Sequence, residues 1–192
     1  MAQIIEDNRE QMQSAAPFFP AAIDKNNKKY QKLTKEQGGG DIEFKRQRVT
    51  TGDYHILFND QIYMSIERKT WKDLAASIKD GRMNSQHKQM EKLSAKTNTR
   101  TLYIIEGAKK GKDNKIGKIA ISTLDIKLKR IFLRGSSFIT SKNQQETAEI
   151  LTSYAREIMR LVSMGENLIG KPLSPTTALE QYNLELEQLN KK

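Results

Sequence analysis

Ile62, Met64 and Ile66 alternate with Tyr63, Ser65 and Glu67, the period-two pattern of a half-buried strand. The run Tyr54-His55-Ile56-Leu57-Phe58 precedes it, and Asn59-Asp60-Gln61 between the two is turn material, so the spacing predicts a hairpin. Upstream, Gln3-Ile4-Ile5 is a short strand that runs into the charged cluster Glu6 to Glu10. Asp41 to Thr51 reads as a strand with a basic face, set off by the breaker Gly38-Gly39-Gly40. A Lys-rich helix is predicted over Ala21 to Leu33, with its lysines solvated.

Downstream, Thr70 to Ile78 suits a helix that Asp80-Gly81 breaks, and a second helix follows over Met83 to Lys96, with Met83, Met90 and Leu93 inward. Thr101 to Ile105 is a buried-type strand, Ser122 to Phe132 a helix and Phe138 to Thr140 a short strand. Gln144 to Val162 is the clearest helix. Ile150, Tyr154, Ile158 and Leu161 share one face, which Ala148, Leu151, Ala155, Met159 and Val162 extend to a wide apolar arc. The first four are expected on the sheet, leaving Ala148, Ala155, Met159 and Val162 for a second subunit. The chain then divides into a domain over residues 1–168 and a linker with a short amphipathic segment over 169–192, where Leu179, Tyr182, Leu186 and Leu189 recur at helical spacing. That segment suits a partner and its own domain equally.

Composition narrows the chemistry. Lys and Arg number 33 against 23 Asp and Glu, a net charge of +10 that points to a polyanionic partner. The absence of Cys excludes disulfides and thiol nucleophiles, and His55 and His87 alone cannot make a His-rich metal site. His55 reads as structural, His87 as a helix-surface residue and Trp71 as packing. The segment from Gly107 to Lys118 holds Lys109, Lys110, Lys112, Lys115 and Lys118, and is expected to be a mobile basic loop able to clamp phosphates. The first ten residues lack the pattern of a signal peptide, and no apolar run reaches membrane-spanning length.

Phosphodiester hydrolysis needs a divalent cation held by carboxylates and a positive charge near the phosphate. An acid on one hairpin strand and Glu-x-Lys on the other is one compact solution. The chain has Gly52-Asp53 and Glu67-Arg68-Lys69 in those places. Glu67 and Lys69 share a face, opposite Ile62, Met64 and Ile66. With a three-residue turn, Phe58 pairs with Ile62 and Asp53 falls opposite Glu67, close enough to share an ion. A two-residue turn would offset them by one.

Gly52-Asp53-Tyr54 followed by Glu67-Arg68-Lys69-Thr70-Trp71-Lys72-Asp73 resembles the Gly-Asp-x(n)-Glu-Arg-Lys-x-x-x-Asp signature of the XPF-type structure-specific nucleases. The likeness extends to Asp7-Asn8-Arg9-Glu10 after the opening strand, to Asp80-Gly81-Arg82 with Gln86, to the strand ending at Glu106 and to the helix starting at Thr147-Ala148-Glu149. It covers roughly residues 3–163. The resemblance implies an α/β fold with a restriction-endonuclease-like core, a mixed central β-sheet flanked by α-helices. It implies Asp53 and Glu67 as principal ligands of Mg²⁺ or Mn²⁺, with Asp7 a further acid. Lys69 would act on the attacking water or the phosphate, Arg9 and Arg68 would organise the site, and Asp73 would support the loop after the strand. Arg82 and Gln86 would contact the DNA backbone or hold the helix break. The implied activity is cleavage of branched DNA (forks, flaps, junctions) in repair or recombination, by a homodimer or heterodimer joined through the nuclease domain. The alternatives are a non-catalytic DNA-binding scaffold subunit and a phosphodiesterase acting on another phosphate ester. The expected location is the nucleus, or the cytoplasm for an archaeal source or a cytoplasmic virus.

Overall fold

In the computed structural model, which describes residues 1–9, 14–19 and 42–168, the chain begins with β1 (Ala2–Asp7), β2 (Ile42–Gln47), β3 (Tyr54–Phe58) and β4 (Gln61–Thr70). Helices α1 (Trp71–Lys79) and α2 (Arg82–Thr97) lead to β5 (Arg100–Glu106). A small hairpin, β6 (Lys115–Ile116) and β7 (Ile119–Ala120), precedes α3 (Ile121–Leu133), β8 (Ser137–Ser141) and α4 (Gln144–Ser163). The expected Ala21–Leu33 helix, the Gly38–Gly40 breaker and the segment over 169–192 lie outside the described residues.

Six strands form one mixed sheet in the order β2-β1-β3-β4-β5-β8. β1 runs parallel to β2 and antiparallel to β3, β3 and β4 form the hairpin, and β4, β5 and β8 run parallel. Parallel neighbours need crossover connections, and α1–α2 and then α3 supply them on one face. The strands therefore carry apolar side chains on both faces. Ile4, Ile56, Ile66, Leu102 and Ile104 pack with Leu151, Ala155 and Ile158 of α4. Tyr103 and Ile105 pack on the other face with Trp71, Leu74, Met83, Met90, Leu124, Leu128 and Ile131. This is the α/β architecture with a mixed central sheet that the sequence implied.

Some expectations need correction. The strand read over Asp41–Thr51 ends at Gln47. The hairpin turn has two residues, not three: Asn59 and Asp60 both adopt positive φ (49° and 61°), and Phe58 pairs with Gln61. An irregularity between Ile56 and Leu57 then leaves Tyr63 as the extra residue of β4, so Ile56 meets Met64 and Tyr54 meets Ile66. The bulge restores the register that the shorter turn would have spoiled.

The basic segment after β5 is folded rather than a mobile loop. Ile116 is buried in the core, Gly111 lies against the Lys115 carbonyl where no side chain would fit, and Lys112 bridges to Lys115. His87 is buried, not on the surface. In α4 the inward face is Ala148, Leu151, Ala155, Ile158 and Met159, whereas Ile150, Tyr154 and Leu161 are half-buried. The two alanines let the helix approach the sheet closely, so the side with small residues turns inward.

Candidate active site

Side chains alternate along a strand, and the register carries three acids onto one face of three neighbouring strands. Glu6 pairs with Tyr54, and Tyr54 with Ile66, so the next residues along, Asp7, Asp53 and Glu67, stand side by side. Asp7 N donates to the Asp53 carbonyl at 2.8 Å, and Asp53 N to the Ile66 carbonyl at 2.8 Å. Gly52 makes this approach possible: its φ is +79°, and a Cβ there would lie 2.8 Å from the Ile66 carbonyl oxygen.

The three acids line a cleft of about 340 Å³ together with Arg9, Thr50, Thr51, Gly52, Gln86 and Gln89. Lys69 Nζ lies 2.8 Å from Glu67 Oε1 in a buried ion pair, as the shared strand face predicts. Gln86 Nε2 donates to the same oxygen at 3.0 Å. Asp53 Oδ2 accepts from Arg68 N at 2.7 Å, so the backbone beside Glu67 fixes the second carboxylate. Asp7 is held by Arg9, whose Nε lies 2.9 Å from both its oxygens, and the guanidinium keeps the Asp7 carboxyl below its ordinary pKa.

Arg68 points to the opposite face. Its guanidinium pairs with Glu106, with Nε 2.9 Å from Oε2, and Thr147 of α4 donates to the same oxygen at 2.9 Å. The pair ties β4, β5 and α4 together beneath the site. The sequence marks the acid at the end of β5 but not its partner; an acid closing a buried-type strand is the available signal. Asp73 does not line the cleft. Its Oδ2 accepts from Thr70 Oγ1 at 2.6 Å, and its N–H donates back to that hydroxyl at 3.1 Å, which caps α1. β4 runs straight into α1, so Asp73 holds the start of the helix where a loop was expected.

Arg82 is exposed at the start of α2, with Asp80 3.5 Å away. Lys109 pairs with Asp125 and sits 5.2 Å from the centre of the Trp71 ring, while Lys110 and Lys112 are exposed. Trp71 Nε1 donates to the Gly107 carbonyl at 3.1 Å, in keeping with its packing role. His55 is buried with Nε2 2.8 Å from the Thr51 carbonyl, and desolvation pushes its pKa down, a structural role.

Asp53 and Glu67 offer the hard oxygen donors that Mg²⁺ takes, one or two carboxylates completed by water. Among the described residues no three acidic or histidine side chains gather closely enough to hold an ion by themselves. Asp7, engaged by Arg9, stands at the margin of the pair. The donor chemistry therefore fits a small, partly hydrated divalent cation.

A mixed sheet with opposed carboxylates and an adjacent Lys on a central hairpin defines a nuclease-like α/β domain. The ERCC4 domain model matches residues 7–154, and the chain belongs to that family. It is 30% identical over 123 residues to the ERCC4 domain-containing protein EP364R of African swine fever virus, a match over 60% of this chain and 33% of that protein. The chain thus spans about a third of the length of the curated relatives it matches. Among solved structures it is similar to XPF from Aeropyrum pernix, with a TM-score of 0.59, 21% identity and coverage of 84% of this chain and 67% of that one. The same protein in complex with DNA aligns with a TM-score of 0.54, at 21% identity, over 83% of this chain and 66% of that one. The XPF-like nuclease fold follows from these matches.

Proposed function

We propose that this chain is a divalent-metal-dependent endonuclease that cuts phosphodiester bonds at forks, flaps or other junctions in DNA. The observation that carries the reading is the opposition of Asp53 and Glu67 on neighbouring strands, with Lys69 bonded to Glu67. Membership of the ERCC4 family supports it.

Asp53 and Glu67, side by side on neighbouring strands, would hold Mg²⁺ or Mn²⁺, with Asp7 as a further acid beside them. When bound, the ion polarises the phosphodiester and lowers the pKa of a coordinated water. The chain's own groups do the rest. Lys69 keeps a cation beside Glu67 in a site shielded from bulk water, where it meets the negative charge developing on phosphorus. The Arg68 N–H holds the Asp53 carboxylate in place, and Arg9 holds Asp7. In-line attack by water leaves a 5′-phosphate and a 3′-hydroxyl. With base edges left unread, selectivity comes from the shape and deformability of the junction.

Labelled fork, flap, linear duplex and single-stranded DNA, each with and without Mg²⁺ or Mn²⁺, test the proposal. Cleavage is expected on the branched substrates and only with metal. Glu67→Gln, Asp53→Asn and Lys69→Met should each lower the rate by on the order of 100-fold or more while the protein stays folded. Undiminished cleavage by Glu67→Gln would overturn the mechanism. DNA binding without cleavage by the unaltered chain would favour a scaffold role.

A further inference from the structure

Glu67 Oε1 receives two hydrogen bonds, from Lys69 Nζ at 2.8 Å and from Gln86 Nε2 at 3.0 Å. An ionised carboxylate only accepts, so the amide nitrogen of Gln86 must be the atom that faces it. The amide oxygen is thereby committed to the other side. That oxygen is shielded from bulk water and accepts from no group among the described residues. Buried acceptors are ordinarily paired, and an unpaired one calls for a reason. Gln86 also lines the cleft with Asp7, Asp53 and Glu67.

Its place in the fold follows from α2. Met83, His87 and Met90 fill the inward stripe, and Gln86 stands at the edge of that stripe over β4. His87 Nδ1, one residue on, lies 3.2 Å from the Tyr103 hydroxyl, which fixes this turn of the helix against β5. The Gln86 side chain is thus held over Glu67 from a rigid element.

We infer that Gln86 has two functions: its amide nitrogen orients Glu67, and its amide oxygen either ligates the bound divalent ion or accepts a hydrogen bond from one of that ion's waters. The inference rests on the metal-dependent reading above. Lys69 places a positive charge on the Glu67 oxygen that Gln86 also holds, which leaves Oε2 as the oxygen for an ion. An additional neutral oxygen donor supports the ion without adding charge to the cleft.

Mn²⁺ titrated calorimetrically into the full chain without DNA gives a readout independent of activity. Gln86→Leu should raise the dissociation constant roughly tenfold or more. Gln86→Glu, which keeps an oxygen at this position but loses the donor to Glu67, should bind Mn²⁺ more tightly than Gln86→Leu. In cleavage assays Gln86→Leu should raise the half-saturating metal concentration, with kcat largely recovered at saturating metal. Unchanged Mn²⁺ binding by Gln86→Leu, binding by Gln86→Glu no tighter than by Gln86→Leu, or a kcat loss that metal does not restore would each overturn the inference. If Gln86→Leu does not fold, Gln86→Met, of similar length and without either hydrogen-bonding group, takes its place in each measurement. Glu67→Gln separates this inference from the reading beneath it. If that variant binds Mn²⁺ as well as the unaltered chain, the metal reading fails. If it weakens binding while Gln86→Leu does not, only the role of Gln86 fails.

Discussion

Gly52 shows how one residue sets the site. A side chain there would press on the Ile66 carbonyl, 2.8 Å from the new Cβ, and on Ser65 Oγ at 3.0 Å, in a backbone conformation that side chains rarely adopt. Gly52→Ala should therefore cost roughly 1–3 kcal/mol of stability. It should also displace Asp53 from the Ile66 carbonyl, so cleavage should fall further than the loss of folded protein explains. Urea unfolding beside an activity assay checks both, and a variant of unchanged stability would contradict the close approach. Asp53, Glu67 and Lys69 were legible because their chemistry is local: one acid after a glycine, and Glu-x-Lys on one strand face. The bonds of Gln86 to Glu67 and of Glu106 to Arg68 were not, since each joins residues 19 and 38 positions apart through packing that no short pattern encodes.

Elements are legible wherever one period dominates. Helix α4 was expected over Gln144 to Val162 and spans Gln144–Ser163, and the break at Asp80-Gly81 falls between α1 and α2. The inward face of α4 was not legible, because apolar residues cover about half its circumference and only the sheet decides which half fits. The turn between β3 and β4 shows another limit: a shorter turn and a bulge cancel, and the alternation of Ile62, Met64 and Ile66 reveals neither. The Lys-rich hairpin folded against expectation since Ile116 supplies one buried anchor that composition averages away. Arg68 and Glu106 are the clearest link between elements, joining β4 to β5, with Thr147 reaching them from α4. Removing one partner strands a buried charge, so Glu106→Ala should destabilise the fold by about 3–5 kcal/mol. Glu106→Gln, which keeps an acceptor for Thr147 and Arg68, should cost less. Chemical denaturation of both variants checks the order, and equal losses would mean that the charge alone, not the hydrogen bonds to Glu106, holds the pair.

At the scale of the whole molecule, the charge of +10 makes attraction to a polyanion the default, and binding should weaken steeply with salt. The fold refines which lysines contribute. Lys109 is already occupied by Asp125 and the Trp71 ring, whereas Lys110 and Lys112 are exposed. Neutralising Lys110 and Lys112 should lower the slope of log affinity against log salt by up to about 0.9 per lost phosphate contact. Neutralising Lys109 alone should change it less. An unchanged slope in the double variant would remove this hairpin from the DNA interface. The open flank of α4 bears on association. Tyr154, Ile158 and Leu161 line an apolar cleft of about 320 Å³ with Tyr63, Leu102 and Leu168. A second copy related by a two-fold axis would bury this flank on both chains at once, the commonest closed arrangement. Sedimentation of the full chain at rising concentration should then give a dimer that persists in a chain ending at Gly170. Tyr154→Glu together with Leu161→Glu should weaken association by at least about tenfold, or 1.4 kcal/mol. A full chain that stays monomeric, and associates only after residues 171–192 are removed, would instead make that segment the cover of the flank.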